Sequence, residues 1–231
     1  MYFQHEARIW RDFPQLVPGT LFAEGISRDS PSPSLDEFTA TARARLAAGP
    51  ESELPEIQAW RRAFARMGLK PTQYRCAAES LLRRFRKEGS LPRLHPLVDL
   101  CNAVSLAYAI PVAVFDVARV SGHLEVRYAD GDEEYLTFSG QAERPVPGEV
   151  IFADQARQAH ARRWTNRQSG RSAVGESTTA AIIVAEALHG QAPADVPRLI
   201  AAVAAGLAGL TGRQPTGAVL SQSSPRFGFG P

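Results

Sequence analysis

The sequence predicts an α+β fold in one compact unit, with layered helices around a block of mixed or antiparallel strands. Three observations lead there. The hydrophobic period runs helix, then strand, then helix, and does not alternate as βαβ units do. The 231 residues are 44% hydrophobic, enough for one sizeable core. Gly 18 and Pro 17 supply many turns and argue against an all-helical bundle.

Residues 6–27 read as one or two lead-in strands, with Phe13-Pro14 and Pro18-Gly19 as turns and Asp29 to Ser34 as a loop. A first helix is expected from Ser34, where Ser34 and Glu37 have the spacing of a capping box. Leu35, Phe38, Ala42 and Leu46 form its apolar stripe, and Gly49-Pro50 stops it. A second helix starts near Pro55, with Ile57, Trp60, Phe64 and Met67 at helical spacing and Gly68 as its end. A third covers Thr72 to Glu88, with Ala77, Leu81 and Phe85 as its stripe and Gly89 as its stop. Leu97 to Tyr108 reads as a fourth.

The period then changes. Pro111 to Val117 is a short apolar strand, and His123 to Ala129 alternates apolar and polar residues. Asp130-Gly131-Asp132 is a hairpin signal leading into a strand at Glu134 to Phe138. Glu149 to Ala153 and Ala161 to Arg167 are further strands. Thr178 to Leu188 is expected as a helix, and Pro197 to Leu210 as the last one. Residues 212–231 are polar and rich in Gly and Pro, so a frayed tail is expected. The organisation expected is a lead-in at 1–54, a core at 55–190, a C-terminal helix at 191–211 and the tail.

Net charge is only +2, but it is unevenly spread. Between Trp60 and Arg93 stand ten Lys/Arg and two Glu, a local +8, which leaves about −6 elsewhere. From Gln155 to Val174 there are five Arg and no acid. A polyanion-binding surface needs such clusters; a solvated helix face also produces them. Arg162, Arg163, Trp164 and Arg167 interleave cations with an indole, which suits phosphate contact and base stacking if Trp164 is exposed and a core role if it is buried.

Several chemistries lack their signatures. No glycine-rich phosphate loop and no Gly-x-Ser-x-Gly elbow is present. The five histidines have no ligand spacing, and Cys76 and Cys101 make no metal framework, so neither metal nor cofactor is expected. The N-terminus lacks the basic start and apolar run of a secretory signal. The longest apolar stretch, Leu199 to Leu210, is too short to span a bilayer. The expectation is a cytoplasmic protein without a membrane segment.

Asn102 and Ser105 lie one helical turn apart and can face one site; an interhelical hydrogen bond is the alternative. Asp116 ends an apolar strand, and its pairing with Arg127 would brace two strands. Glu186 follows Ile182, Ile183 and Val184, and faces either solvent or a cavity.

The stretch from Leu97 to Ala129 carries a family resemblance. It holds Asn102-Ala103-Val104 in a helix, Pro111-Val112-Ala113-Val114-Phe115-Asp116 in a strand, the turn residue Gly122, and Val126-Arg127-Tyr128-Ala129. Asp132-Glu133-Glu134 and Leu136, then Glu149 to Asp154, then Ser177-Thr178-Thr179 with Val184-Ala185-Glu186-Ala187, follow in order. Over residues 55–190 this resembles the B3/B4 domain, the tRNA-editing module of the phenylalanyl-tRNA synthetase β subunit. Trp60-Arg61, Arg75, Arg83-Arg84, Arg162-Arg163-Trp164 and Arg167 resemble its free-standing relatives, and nothing resembles a class II aminoacylation core.

The resemblance implies a three-layer fold with a sheet pair of unusual topology and a pocket between its halves. It implies a substrate pocket of Asn102, Ser105, Asp116, Arg127 and Glu186, with Glu186 at the position that contacts the phenolic hydroxyl of tyrosine. The two basic segments, together with this resemblance, lead to an expected RNA-binding surface of Arg75, Arg83, Arg84, Arg86, Lys87, Arg162, Arg163, Trp164 and Arg167. Two departures stand out: the family's His falls on Ala113, and its Gly-Gly turn is replaced by Arg-Arg-Trp-Thr-Asn-Arg at 162–167. The function expected is a deacylase acting in trans on a mischarged aminoacyl-tRNA, without a catalytic nucleophile identified. The alternatives are an adaptor or regulator binding tRNA or a free amino acid, and a small-molecule enzyme that reuses the cleft.

Overall fold

The computed structural model describes residues 1–230. In chain order the elements are β1 Tyr2–His5, α1 Ala7–Asp12, β2 Val17–Glu24, α2 Asp36–Ala48, α3 Pro55–Arg66, α4 Ala77–Glu88, α5 Pro96–Tyr108, β3 Val112–Asp116 and β4 His123–Tyr128. They continue as β5 Glu134–Leu136, β6 Ala142–Glu143, β7 Val150–Asp154, β8 Gln158–Arg162, β9 Arg167–Gln168, β10 Ala180–Ala187, α6 Ala192–Thr211, β11 Thr216–Val219 and β12 Arg226–Gly228. The α+β class is as expected.

Two sheets form. The larger runs β12-β1-β4-β7-β8-β5-β6 with β9 paired to β8, and the smaller runs β11-β2-β10-β3. Strand β10 shows how they stack. Ile182 and Val184 pack with Phe3, Val126 and Phe152 of the large sheet. The alternate residues Ile183, Ala185 and Ala187 pack with Leu100 and Val104 of α5 and with Val196, Leu199 and Val203 of α6. The result is three layers: large sheet, small sheet, helix pair.

That arrangement corrects the helix expected at Thr178 to Leu188. A strand covered on both faces is apolar on both, so its period of two leaves no polar mark in the sequence. The expected hairpin at Asp130-Gly131-Asp132 is also corrected, because β4 pairs with β1 and β7, while β5 pairs with β6 and β8. The turn is made instead by Glu133, whose carboxylate accepts from the amides of Asp130 at 3.0 Å and Gly131 at 2.9 Å.

Smaller corrections follow. Helix α2 starts at Asp36, and Ser34 and Glu37 form no capping box. Helix α4 starts at Ala77, after a turn at 71–73, and not at Thr72. The expected strand at Ala161 to Arg167 is a reversal, with β8 returning as β9. Pro18-Gly19 lies inside β2, where a Cβ on Gly19 would stand 2.5 Å from Ile200 Cγ1, so glycine admits α6 onto the sheet. The expected frayed tail forms β11 on β2 and β12 on β1, and buries Phe229. The lead-in at 1–54 supplies β1 and β2, which lie inside their sheets. Helix α6 begins at Ala192, five residues before Pro197, and is long and apolar enough by composition to cross a membrane. Here its stripe of Val196, Leu199, Val203 and Leu207 is fully buried against the small sheet and α5.

Candidate functional site

A cavity of about 60 Å³ lies between the two sheets. Ala113, Val184 and Glu186 line it from the small sheet, Phe152 and Ala161 from the large one, and Trp164 to Gln168 from the β8–β9 turn. Glu186 falls on the face of β10 that also carries Ile182 and Val184, because every second residue of a strand shares a face.

Glu186 is 2% exposed. Its Oε1 lies 2.6 Å from His5 Nε2 and accepts from Trp164 Nε1 at 2.9 Å. Its backbone carbonyl accepts from Trp60 Nε1 at 3.3 Å. No donor among the described residues reaches Oε2. A buried carboxylate with one oxygen held and the other unengaged is an acceptor for a ligand's hydroxyl or ammonium group. Thr165 Oγ1, on the same cavity wall, is likewise without a partner among the described residues.

The turn that carries Trp164 is backbone-strained. Arg163 and Trp164 have φ of 48° and 58°, a left-handed conformation costing roughly 1–2 kcal/mol per non-glycine residue. Burial offsets it. Trp164 is fully buried, its amide donates to Val150 O at 2.7 Å, and its ring stands edge-on to Trp60 and Phe13 at 5.0 and 4.8 Å.

The other expected pocket residues do not meet there. Ser105 is buried and donates to Ile110 O at 2.7 Å, closing the end of α5. Asn102 lines two other cavities, of about 130 and 300 Å³, beside α5. Asp116 accepts from Thr178 Oγ1 and from the amide of Ala118, both at 3.0 Å. Arg127 pairs with Glu133 at 2.5 Å and not with Asp116. Of the five, Glu186 alone lines the inter-sheet cavity.

The basic residues also divide. Arg162 and Trp164 are buried, 5% and 0% exposed, so neither is available to a nucleic acid. Arg162 is held by Glu143 at 2.6 Å and Glu149 at 2.8 Å. Arg86 pairs with Glu51, Arg84 with Glu88, and Arg75 lies 3.4 Å from Glu79. Glu79 and Glu88 are already counted in the local +8; two acids from outside the segment, Glu51 on Arg86 and Asp99 at 3.8 Å from Arg93, lower it to +6. Arg83 and Lys87 stay exposed and unpaired among the described residues, one turn apart on α4. Arg163 lies over the Tyr74 ring at 4.8 Å, and Arg167, exposed beside the cavity, reaches Glu143 at 3.3 Å.

Histidines form networks that the sequence did not disclose. His160 Nδ1 lies 2.8 Å from Ser172 Oγ, and its Nε2 lies 3.3 Å from Asp154. The order is that of a nucleophile, base and acid, but Ser172 and His160 are both fully buried, so the group braces the large sheet against the Ser169–Ser172 loop. Burial, together with hydrogen bonds from His160 and the amides of Gln158 and Ser121, acts on Asp154, and the hydrogen bonds prevail, lowering its pKa. Glu56, His189 and Asp195 bring ligand-type atoms within 4.8 Å of one another. Guanidinium groups already neutralise that cluster, Arg45 at 2.7 Å from Glu56 and Arg198 at 2.5 Å from Asp195. Burial pushes the thiols of Cys76 and Cys101 up to about 12, so neither is a ready nucleophile.

The family model of the B3/4 domain matches residues 59–198, from α3 through the cavity to the first turns of α6. The chain is similar to the phenylalanine–tRNA ligase β subunit of Cereibacter sphaeroides, 36% identical over 73 residues, covering 32% of this chain and 9% of that protein. It is similar to the same subunit of Legionella pneumophila, 32% identical over 69 residues (30% and 9%), and of Coxiella burnetii, 35% over 75 residues (32% and 9%). Each matched stretch thus spans about a tenth of the relative's length. Among solved structures, an N-terminal fragment of the phenylalanyl-tRNA synthetase β subunit from Pyrococcus horikoshii aligns with a TM-score of 0.49 and 9% identity, over 92% of this chain and 49% of that one. With more than half its length matched by the family model, around the cavity that ends on Glu186, this chain belongs to the B3/4 domain family.

Proposed function

We propose that this protein binds tRNA and hydrolyses the ester of a mischarged aminoacyl-tRNA in trans. The observation that carries the reading is Glu186, a carboxylate buried at the end of an inter-sheet cavity with one oxygen fixed and one open to a ligand. Such an acceptor rewards a side chain that brings a donor and rejects one that leaves it unpaired. Similarity to phenylalanine–tRNA ligase β subunits supports tRNA as the partner. Arg83 and Lys87 on α4, with Arg167 at the cavity lip and Arg163 over the Tyr74 ring, are the cations that would meet its phosphates.

The chemistry requires no protein nucleophile. The aminoacyl group enters the cavity, and a water adds to the ester carbonyl. The bond from that carbon to the ribose oxygen breaks, and the oxygen leaves as a hydroxyl with the proton water supplied. Thr165, Asn166 and Gln168 are the polar groups at the lip that would position this water, with the neighbouring ribose hydroxyl of the substrate as a further proton carrier. The test is a panel of aminoacyl-tRNAs scored for release of amino acid. Release from one class supports the reading; tRNA binding without release from any would make the protein a binding module.

A further inference from the structure

The cavity is small because the protein fills it with its own ring. Trp164 is fully buried, and its Nε1 donates to the same Glu186 oxygen that His5 holds. What remains is about 60 Å³, bounded by Ala113, Ala161 and Val184. A cavity that binds benzene is about 150 Å³, so no aromatic ring enters this one while the indole stays. The turn that carries Trp164 is fastened from several sides. The Trp164 backbone amide is held by Val150 O, and Thr165 O accepts from Ala77 N at 2.8 Å. Asn166 Nδ2 donates to Arg75 O at 2.8 Å. The left-handed backbone at Arg163 and Trp164 is what aims the side chain inward.

We infer that Trp164 is the specificity-determining residue of this cleft, restricting it to small side chains and excluding aromatic ones. The inference rests on the reading of the cleft as an aminoacyl site. A small side chain with a hydroxyl suits what is left: alanine and valine walls for its carbon, and Glu186 Oε2 or Thr165 Oγ1 for its polar atom. An aliphatic side chain of the same size would fill the space but leave those oxygens unpaired.

The experiment compares wild type with Trp164→Gly, which suits a positive φ and removes the ring. The probes are 3′-deoxyadenosines carrying L-serine or L-tyrosine through a 3′-amide that hydrolysis does not consume, measured by calorimetry. Wild type is expected to bind the seryl probe at least about tenfold tighter than the tyrosyl probe, and Trp164→Gly to gain about tenfold for tyrosyl. A second arm adds indole alone, which is expected to raise the melting midpoint of Trp164→Gly and leave wild type unmoved. Equal binding of both probes by wild type overturns the inference. So does a folded Trp164→Gly that gains neither tyrosyl probe nor indole. If neither protein binds any adenosine probe, the aminoacyl-site reading fails on its own, and the indole arm still decides whether Trp164 fills a ring site. Should Trp164→Gly not fold, Trp164→Leu, which removes the ring but keeps apolar bulk, takes its place in both arms.

Discussion

The amide of Ala77 donates to the carbonyl of Thr165 at 2.8 Å, joining the first turn of α4 to the lip of the inter-sheet cavity. The helix that bears the exposed cations Arg83 and Lys87 is thereby anchored to the turn that bears Trp164. If tRNA lies along α4, its end is delivered toward the cavity without any intervening flexible segment.

The first prediction concerns that helix. Replacing Arg83 and Lys87 together with Ala is expected to weaken tRNA binding and to flatten its log–log salt dependence by roughly 2, about one unit per lost phosphate contact. Arg84→Ala is expected to change binding less, since Arg84 is engaged by Glu88 at 2.8 Å. Filter binding at several salt concentrations checks both. An unchanged slope in the double variant rejects this face as the tRNA surface.

The second prediction separates charge from structure. Arg162 lies in the acid-free run but is 5% exposed and held by Glu143 and Glu149. Arg162→Ala is expected to destabilise the fold by about 3–5 kcal/mol, because it strands a buried carboxylate. The protein that remains folded should bind tRNA with an unchanged salt slope. Urea unfolding, with binding measured below the transition, reads both quantities.

Legibility followed physical lines. Helices α3 and α4 carry one apolar face each and so are legible in the sequence, while α5, buried on most sides, is marked by its apolar run between Pro96 and Ala109. The capping box at Ser34 and Glu37 was compatible with the sequence, yet the chain enters α2 at Leu35 without using it. Strand β10 has the sequence pattern of a helix because both its faces are covered. Glu186 was found by resemblance, but its partners His5 and Trp164 lie 181 and 22 residues away, and no local pattern announces such contacts. The basic run misled because sequence shows cations where they occur but not the acids that fold against them, as Glu51 does on Arg86. The pairing of Asp116 with Arg127 failed for the same reason: Glu133, six residues on, reaches Arg127 first.

The third prediction is a pH dependence. Burial alone would raise the pKa of Glu133, but the amides of Asp130 and Gly131 and the guanidinium of Arg127 outweigh it, so the pKa falls from 4.5 to about 2. A carboxylate with a depressed folded pKa contributes stability that is complete above the unfolded value of 4.5 and is lost as pH falls toward 2. Wild type should therefore lose stability relative to Glu133→Gln between pH 5 and about pH 2. At neutral pH, Glu133→Gln should be less stable by about 2–3 kcal/mol, from loss of charge-assisted hydrogen bonds. Urea midpoints of both proteins across that range decide it; parallel curves would remove Glu133 as the cause.

The last prediction concerns Glu186 as a sieve. If the protein edits, Glu186 selects the substrate more than it breaks the bond, because its free oxygen faces no protein donor and its held oxygen is committed to His5 and Trp164. Glu186→Gln keeps the size and one acceptor oxygen, so it should retain partial activity on the native substrate. Glu186→Ala removes the acceptor altogether and strands the donors of Trp164 and His5, at about 1–3 kcal/mol for each group left unpaired. Its stability should fall accordingly, and folded protein must be verified by circular dichroism before activity is compared. Among folded molecules, Glu186→Ala should change which aminoacyl-tRNAs are hydrolysed, favouring side chains without a donor, since nothing remains to reward one. Single-turnover deacylation across several mischarged tRNAs is the deciding measurement. Equal, near-total loss on every substrate in both folded variants would make Glu186 a participant in the chemical step, and the sieve reading would be wrong.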